Sequence, residues 1–247
     1  MNLRSLGIVL LSFCSLGYAA PDFIDTLAID YRSRELLNKY WLPDDHPLKG
    51  WVDVLFSQVG VTDSVDTLKE TGFEILGAVP FHPIIAKHPS AKGYIFKIYP
   101  DSIKHTRDGI SSAEWLLRRC KVADKIRKMI RERGIHFFSV PDKWLYALPS
   151  AKHHSLILVA TDMEIEDEEV SKIAWKTEVT PRHLQELYSI LSTGYGSIDL
   201  PINIPYTKKG CFAFIDTENL KRKLNLRQVK KYFSKEMANC WERLYQE

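Results

Sequence analysis

Late in the chain, Asp199 and Asn203 lie in the polar stretch Thr193–Pro205, and Asp216 ends the apolar run Phe212-Ala213-Phe214-Ile215. Aspartate and asparagine supply hard oxygen donors, the kind magnesium takes when it is held against a nucleotide phosphate. The Lys208-Lys209-Gly210 turn between the two segments predicts a hairpin that brings Asn203 and Asp216 near one another. The same residues also suit a surface hairpin whose Asp and Asn side chains only make turns. The elements around them have to decide between the two.

Upstream, Phe73–Val79, Ile84–Ala86 and Tyr94–Tyr99 read as strands, and Lys97 falls inside the third of them. A strand lysine belongs either on a solvent face or in a site. A long helix is predicted from Ser112 to Arg133, with Ser111 or Ser112 as N-cap and Glu114 in the first turn. Leu116, Cys120, Ala123, Ile126 and Ile130 form its apolar stripe, and Gly134 ends it. Ile135–Val140 and Lys143–Leu148 read as further strands, and Ser155–Ala160 as a fully buried one. An acidic stretch, Asp162 to Glu169, then reads as a linker or helix start. Thr180–Ser192 is an amphipathic helix with Pro181 in its first turn. A basic tail, Leu220–Tyr245, reads as two helices divided near Asn225 or Ser234. Before all of these, Phe23–Tyr40 has helical spacing, and Trp51–Phe56 suits a strand or a short buried helix.

Composition sets outer limits. The 247 residues are 45% apolar and 26% charged, ordinary values for a globular chain long enough to bury a core. A net charge of +3 does not argue for nucleic acid, and the basic runs Arg118–Arg133 and Lys221–Lys231 have the spacing of solvated helix faces. At the N-terminus, Arg4, the apolar run Leu6–Leu16 and Gly17-Tyr18-Ala19 have the pattern of a signal peptide over residues 1–19. The expectation is a secreted or periplasmic protein with no membrane span in the mature chain. Cys120, Cys211 and Cys240 remain after cleavage, without metal-ligand spacing. One disulfide among them is left open.

In order, these pieces are a strand lysine, a long helix, three strands, a linker, a helix, an Asp/Asn loop and a strand ending in Asp. That order resembles the protein-kinase-like superfamily, closer in loop style to aminoglycoside- and choline-kinase-type phosphotransferases than to full-length protein kinases. Tyr94-Ile95-Phe96-Lys97 looks like its lysine strand, Pro201-Ile202-Asn203-Ile204 like the end of its catalytic loop, and Phe214-Ile215-Asp216 like the strand ending in a metal-binding aspartate. The resemblance implies an α+β, kinase-like two-lobed fold, with a small antiparallel-sheet lobe and a reduced helical second lobe. Its divisions would be residues 1–19 (signal peptide), 20–64 (N-terminal extension), 65–160 (sheet-rich lobe) and 161–247 (helical lobe). It also implies ATP and Mg as cofactors. Lys97 would hold the phosphates and pair with Glu114, Thr161 and Met163 would lie in the hinge that holds adenine, Asn203 and Asp216 would bind the metal, and Asp199 would act as base.

Departures from the family pattern bear on activity. No glycine-rich loop precedes Lys97, Ile198 stands five residues before Asn203 where the catalytic aspartate is expected, and Asp216-Thr217-Glu218 replaces Asp-Phe-Gly. Glu218 suits either a second metal ligand or the start of the next helix. Two functions therefore stand side by side: a Mg-ATP-dependent phosphotransferase, and a catalytically inactive pseudokinase-like binding module with a protein or small-molecule partner. An unrelated α+β protein is a third reading.

Overall fold

The computed structural model describes residues 31–102, 109–149, 153–218 and 221–246. The signal-peptide segment 1–19, and the helical spacing predicted before residue 31, lie outside the described residues. The fold is α+β. Helices α1 (Tyr31–Leu37), α2 (Lys49–Phe56) and α3 (Val65–Glu70) precede strands β1 (Glu74–Gly77), β2 (Ile84–Lys87) and β3 (Tyr94–Ile98). Helix α4 (Ser112–Glu132) leads to β4 (Phe138–Ser139), β5 (Lys143–Ala147) and β6 (Leu156–Thr161). Helices α5 (Glu168–Thr177), α6 (Pro181–Leu191) and α7 (Leu200–Asn203) come next, then β7 (Phe212–Ala213), a 3-10 helix (Leu226–Tyr232) and α8 (Lys235–Leu244).

Among the described residues, the main sheet has the order β1-β2-β3-β6-β5, and its neighbouring strands pair antiparallel. β6 lies inside it and is buried over nearly its whole length. Alternation along the strands assigns the two faces. Phe96, Ile98, Ile157 and Val159 pack with Val52, Phe56, Leu68 and Phe73 of the preceding segment. Leu145, Leu156, Leu158 and Ala160 face the other way and pack with Leu116, Leu117 and Cys120 of α4. The N-terminal segment thus covers one face of the sheet and α4 the other. Trp51–Phe56, open between strand and helix in the sequence, falls within helix α2.

α4 begins where Ser111 accepts the backbone N–H of Glu114 at 3.2 Å, and it stops before Gly134, which sits at φ +60. Farther along, its Val122 and Ile126 enter a third cluster with Trp175, Leu184, Leu187, Phe212, Phe214, Val229 and Trp241. One helix therefore ties the sheet to the C-terminal helices. Asp167, Thr180 and Ser234 cap α5, α6 and α8, so the acidic stretch ends as a helix start and Ser234 divides the basic tail.

Ile135–Val140 does not join the main sheet as a strand. Only Phe138–Ser139 is extended, and it pairs parallel with β7, Phe138 opposite Phe212. The Asp/Asn loop is also more ordered than a hairpin, since Leu200–Asn203 forms a helical turn. Gly194 makes its approach possible. Its φ is +88, and a Cβ there would run into the backbone of Arg222, whose N–H bonds to the Gly194 carbonyl at 3.0 Å. Cys120, Cys211 and Cys240 are free thiols. No helix of the described residues is long and apolar enough to cross a membrane.

Candidate functional site

Alternation turns Lys97 away from Phe96 and Ile98, to the sheet face that α4 covers. The same rule applied to β5 places Lys143 on the face of Leu145. On α4, Arg119 lies three residues after Leu116 and four before Ala123, so it shares the buried side of the helix. All three cations are buried, Arg119 to 2% exposure. Burying one unpaired charge is prohibitively costly, so partners must come from elsewhere in the chain.

They come from the segment after β7. Phe214 N–H bonds to the Ser139 carbonyl at 2.8 Å and Ile215 N–H to the Asn203 carbonyl at 3.1 Å, which aims residues 216–218 beneath the sheet. Asp216 Oδ1 accepts from Arg119 Nη1 and lies 3.8 Å from Lys97 Nζ. Arg119 Nη2 donates to Glu218 Oε2 at 2.6 Å. Between the two acids, Thr217 Oγ1 accepts from Lys143 Nζ at 2.7 Å and donates to the Arg119 carbonyl at 2.7 Å. Lys143 Nζ also donates to the Ile215 carbonyl at 3.0 Å. Among the described residues, the buried Nε of Arg119 has no hydrogen-bond partner.

These charges set one another's protonation. Burial, and then Arg119, lower the Lys97 amine to about 8 against the pull of Asp216 and Glu218. Burial, and then Lys97, push Lys143 well below the usual lysine value. Burial works to raise the Asp216 carboxyl, but Lys97, Arg119 and Lys143 together hold it far below the ordinary carboxylate value. For Arg119 the acids outweigh burial, and its guanidinium stays charged.

The linkage to stability has a definite sign. Unfolded lysines titrate near ~10.4, so above a folded value of about 8 the unfolded chain holds a proton that folded Lys97 has released. Stability must therefore rise with pH in that window, and below it both states are protonated and the gain is absent. Cys120, whose thiol burial pushes up to about 12, opposes the trend once unfolded thiols ionise. We expect the urea midpoint to rise between about pH 8 and 9, worth roughly 1 kcal/mol, with a smaller rise in Lys97→Met. Equal pH profiles for the two proteins would contradict the assignment.

Several residues singled out in the sequence do converge. Lys97 and Asp216 meet directly, and Asn203 meets the backbone just before Asp216. Asn203 Nδ2 donates to Ser197 Oγ at 2.8 Å. Asp199 does not join the cluster by any bond among the described residues: its carboxylate accepts from the Tyr232 hydroxyl at 2.8 Å. Glu114 requires a correction, because its ion pair is not with Lys97. It binds Arg118 Nε at 3.1 Å, one helical turn along, and Asp216 is the acid beside Lys97. Thr161 ends β6 with its N–H on the Asp142 carbonyl at 3.0 Å. Met163 follows, half-buried, and among the described residues neither its N–H nor its carbonyl is hydrogen-bonded.

Arg119 and Lys143 belong to no motif in the sequence, and Arg119 lies in a basic run that has the spacing of a solvated helix face. Their signal was positional, a basic residue on a buried helix face and another on a buried strand face.

The site can be tested against magnesium by its donor set. Asp216 and Glu218 are the nearby acids, and Arg119 binds both. Lys97 adds a second cation beside Asp216. A divalent ion would have to displace the guanidinium and sit among buried cations, so this arrangement does not fit magnesium.

No family model matches the chain, and no curated protein matches it.

Proposed function

We propose that the chain is a pseudokinase-like binding module: a kinase-like fold that does not carry out magnesium-dependent phosphoryl transfer. Support for the fold comes from an antiparallel sheet with a lysine on its third strand, a long helix against it, a connection after β6, and helices that return an acid beneath the lysine. One observation carries the inactive reading. Arg119 occupies both Asp216 and Glu218, the acids that a phosphotransferase of this type would offer to the metal. The pattern of residues 1–19 supports export, where a binding role needs no supply of ATP. Its partner would be a protein or a small molecule.

A second reading, the Mg-ATP phosphotransferase, draws on specific features. Lys97 stands 3.8 Å from Asp216, Asn203 is bonded to the residue before it, and among the described residues the Met163 backbone makes no hydrogen bond, which would leave it free for a base. In that reading Asp199 would have to leave Tyr232 to act as base.

Thermal unfolding of the full chain, titrated with Mg-ATP, separates the two. A ligand that binds only the native state raises stability by about 2.7 kcal/mol at a hundredfold excess over its dissociation constant. The expected result is no magnesium-dependent shift with millimolar Mg-ATP and no transfer of labelled phosphate. A magnesium-dependent rise in melting temperature, lost together with phosphate transfer in Asp216→Asn, would overturn the inactive reading.

A further inference from the structure

Helix α5 buries Ala174 and Trp175 in the C-terminal cluster. Its opposite side, where a solvated helix carries polar residues, presents Val170 at 40% exposure and Ile173 at 59%. A helix turns through 100° per residue, so residues seven apart lie within about 20° of each other. Glu169 and Lys176 therefore form one row along this face and Val170 and Thr177 a second, with Ile173 between the rows. All five are exposed. Single exposed apolar side chains need no explanation. Here, however, they are framed by charge of opposite sign, with Glu168 and Glu169 in the first turn and Lys176 in the last. Lys172, beside the face, is shared between Glu168 at 2.8 Å and Glu169 at 2.7 Å. Among the described residues Lys176 has no ion pair.

We propose that this face of α5 is a homodimer surface, on which α5 of a second copy packs antiparallel about a twofold axis at Ile173. An antiparallel twofold pair keeps each row on its own side and reverses its direction. Glu169 of each copy then meets Lys176 of the other, Val170 meets Thr177, and the two Ile173 side chains pack together. A parallel pair would set Glu169 on Glu169 and Lys176 on Lys176. A wholly basic partner would satisfy the acidic turn and repel Lys176, and an acidic one would do the reverse. A face of the same composition, read backwards, answers both ends. The ten residues of α5 span only about 15 Å. That is small for an interface, so the dimer should be weak and concentration-dependent.

The test is sedimentation of the full chain at low salt, from low micromolar to submillimolar concentration, with circular dichroism to verify the fold of each variant. Wild type is expected to pass reversibly from monomer to dimer. Ile173→Lys, which sets two cations on the axis, should stay monomeric. Lys176→Glu and Glu169→Lys each place like charges in both polar contacts, and alone should self-associate at least about tenfold more weakly than wild type. Mixed in equal amounts, the two restore both opposite-charge contacts and should form a heterodimer of nearly wild-type affinity. Wild type that stays monomeric throughout overturns the proposal, whether another segment of the chain covers α5 or nothing does. A dimer that survives Ile173→Lys overturns it too, because the copies then meet through another face. So does a mixture of the two charge variants that associates no more tightly than either alone. If Ile173→Lys does not fold, Ile173→Ser takes its place with the same outcomes.

Discussion

Replacing Asp216 by alanine is expected to cost about 3–5 kcal/mol of folding stability, the usual penalty for breaking a buried ion pair from one side. The mutation leaves Lys97 and Arg119 facing each other, and both are buried. Arg119 cannot lose its proton to escape, so the cost falls on burial of an uncompensated charge. For a chain of this size the loss corresponds to a drop in melting temperature of roughly 10 °C. Asp199→Ala provides the contrast. It removes one half-exposed hydrogen bond, to Tyr232, and should cost about 1 kcal/mol. Urea denaturation of both variants at neutral pH makes the comparison. A loss below about 1 kcal/mol for Asp216→Ala would mean that the cluster is solvated and that its charges do not depend on one another. Coupling is read from a cycle with Arg119→Met: the double variant should lose much less than the sum of the singles, because the partners are in contact.

The other large effect lies where the C-terminal helices meet the strand that leads to Asp216. Trp175 is fully buried on α5 and stacks on Phe212 with ring centroids 3.9 Å apart. Phe138 and Phe233 lie around it at 6.2 and 5.9 Å, and its indole N–H donates to the Ile204 carbonyl at 3.1 Å. Trp175→Ala removes a large, fully buried side chain and leaves the Ile204 carbonyl without its donor. A loss of about 3–5 kcal/mol is expected. Trp175→Phe keeps most of the apolar volume but not the donor, and should cost only about 1–2 kcal/mol. Near-equal losses would mean that the hydrogen bond, not the packing, dominates. Because Phe212 opens β7 and Asp216 follows three residues after β7, loosening the stack should also blunt the pH 8 to 9 rise attributed to Lys97.

Much of the local architecture was legible before any coordinates. Helix α4 was readable because its apolar spacing, its serine cap and its terminal glycine all agree. The wholly apolar run around Ile157 announced a strand buried on both faces. Even the failure of Glu114 to reach Lys97 had a trace. It lies two residues before Leu116, about 200° round the helix from the apolar stripe, and a carboxylate at that position naturally takes the arginine one turn ahead.

Pairing between distant segments was not legible in that way. Phe138 and Phe212 look like ordinary short apolar runs, and nothing local says that they lie side by side in parallel. Lys97 has the same appearance whether its side chain meets solvent or a helix, since alternation assigns a face but not what covers it. Arg119 reads as one basic residue among many on α4, until the return of residues 216–218 beneath the sheet supplies its two acids.

The chain alone therefore determined the long helix, the strands of the main sheet, the helix after Thr180 and the positions of Lys97, Asn203 and Asp216 among them, because periodicity, caps and turns act over a few residues. Tertiary structure alone decided which charge each of them meets. Partners for a buried ion are chosen by proximity in space, and the cost of leaving it unpaired makes that choice binding. That is how an arginine from the middle of a helix came to hold the two acids that the sequence seemed to offer to a metal.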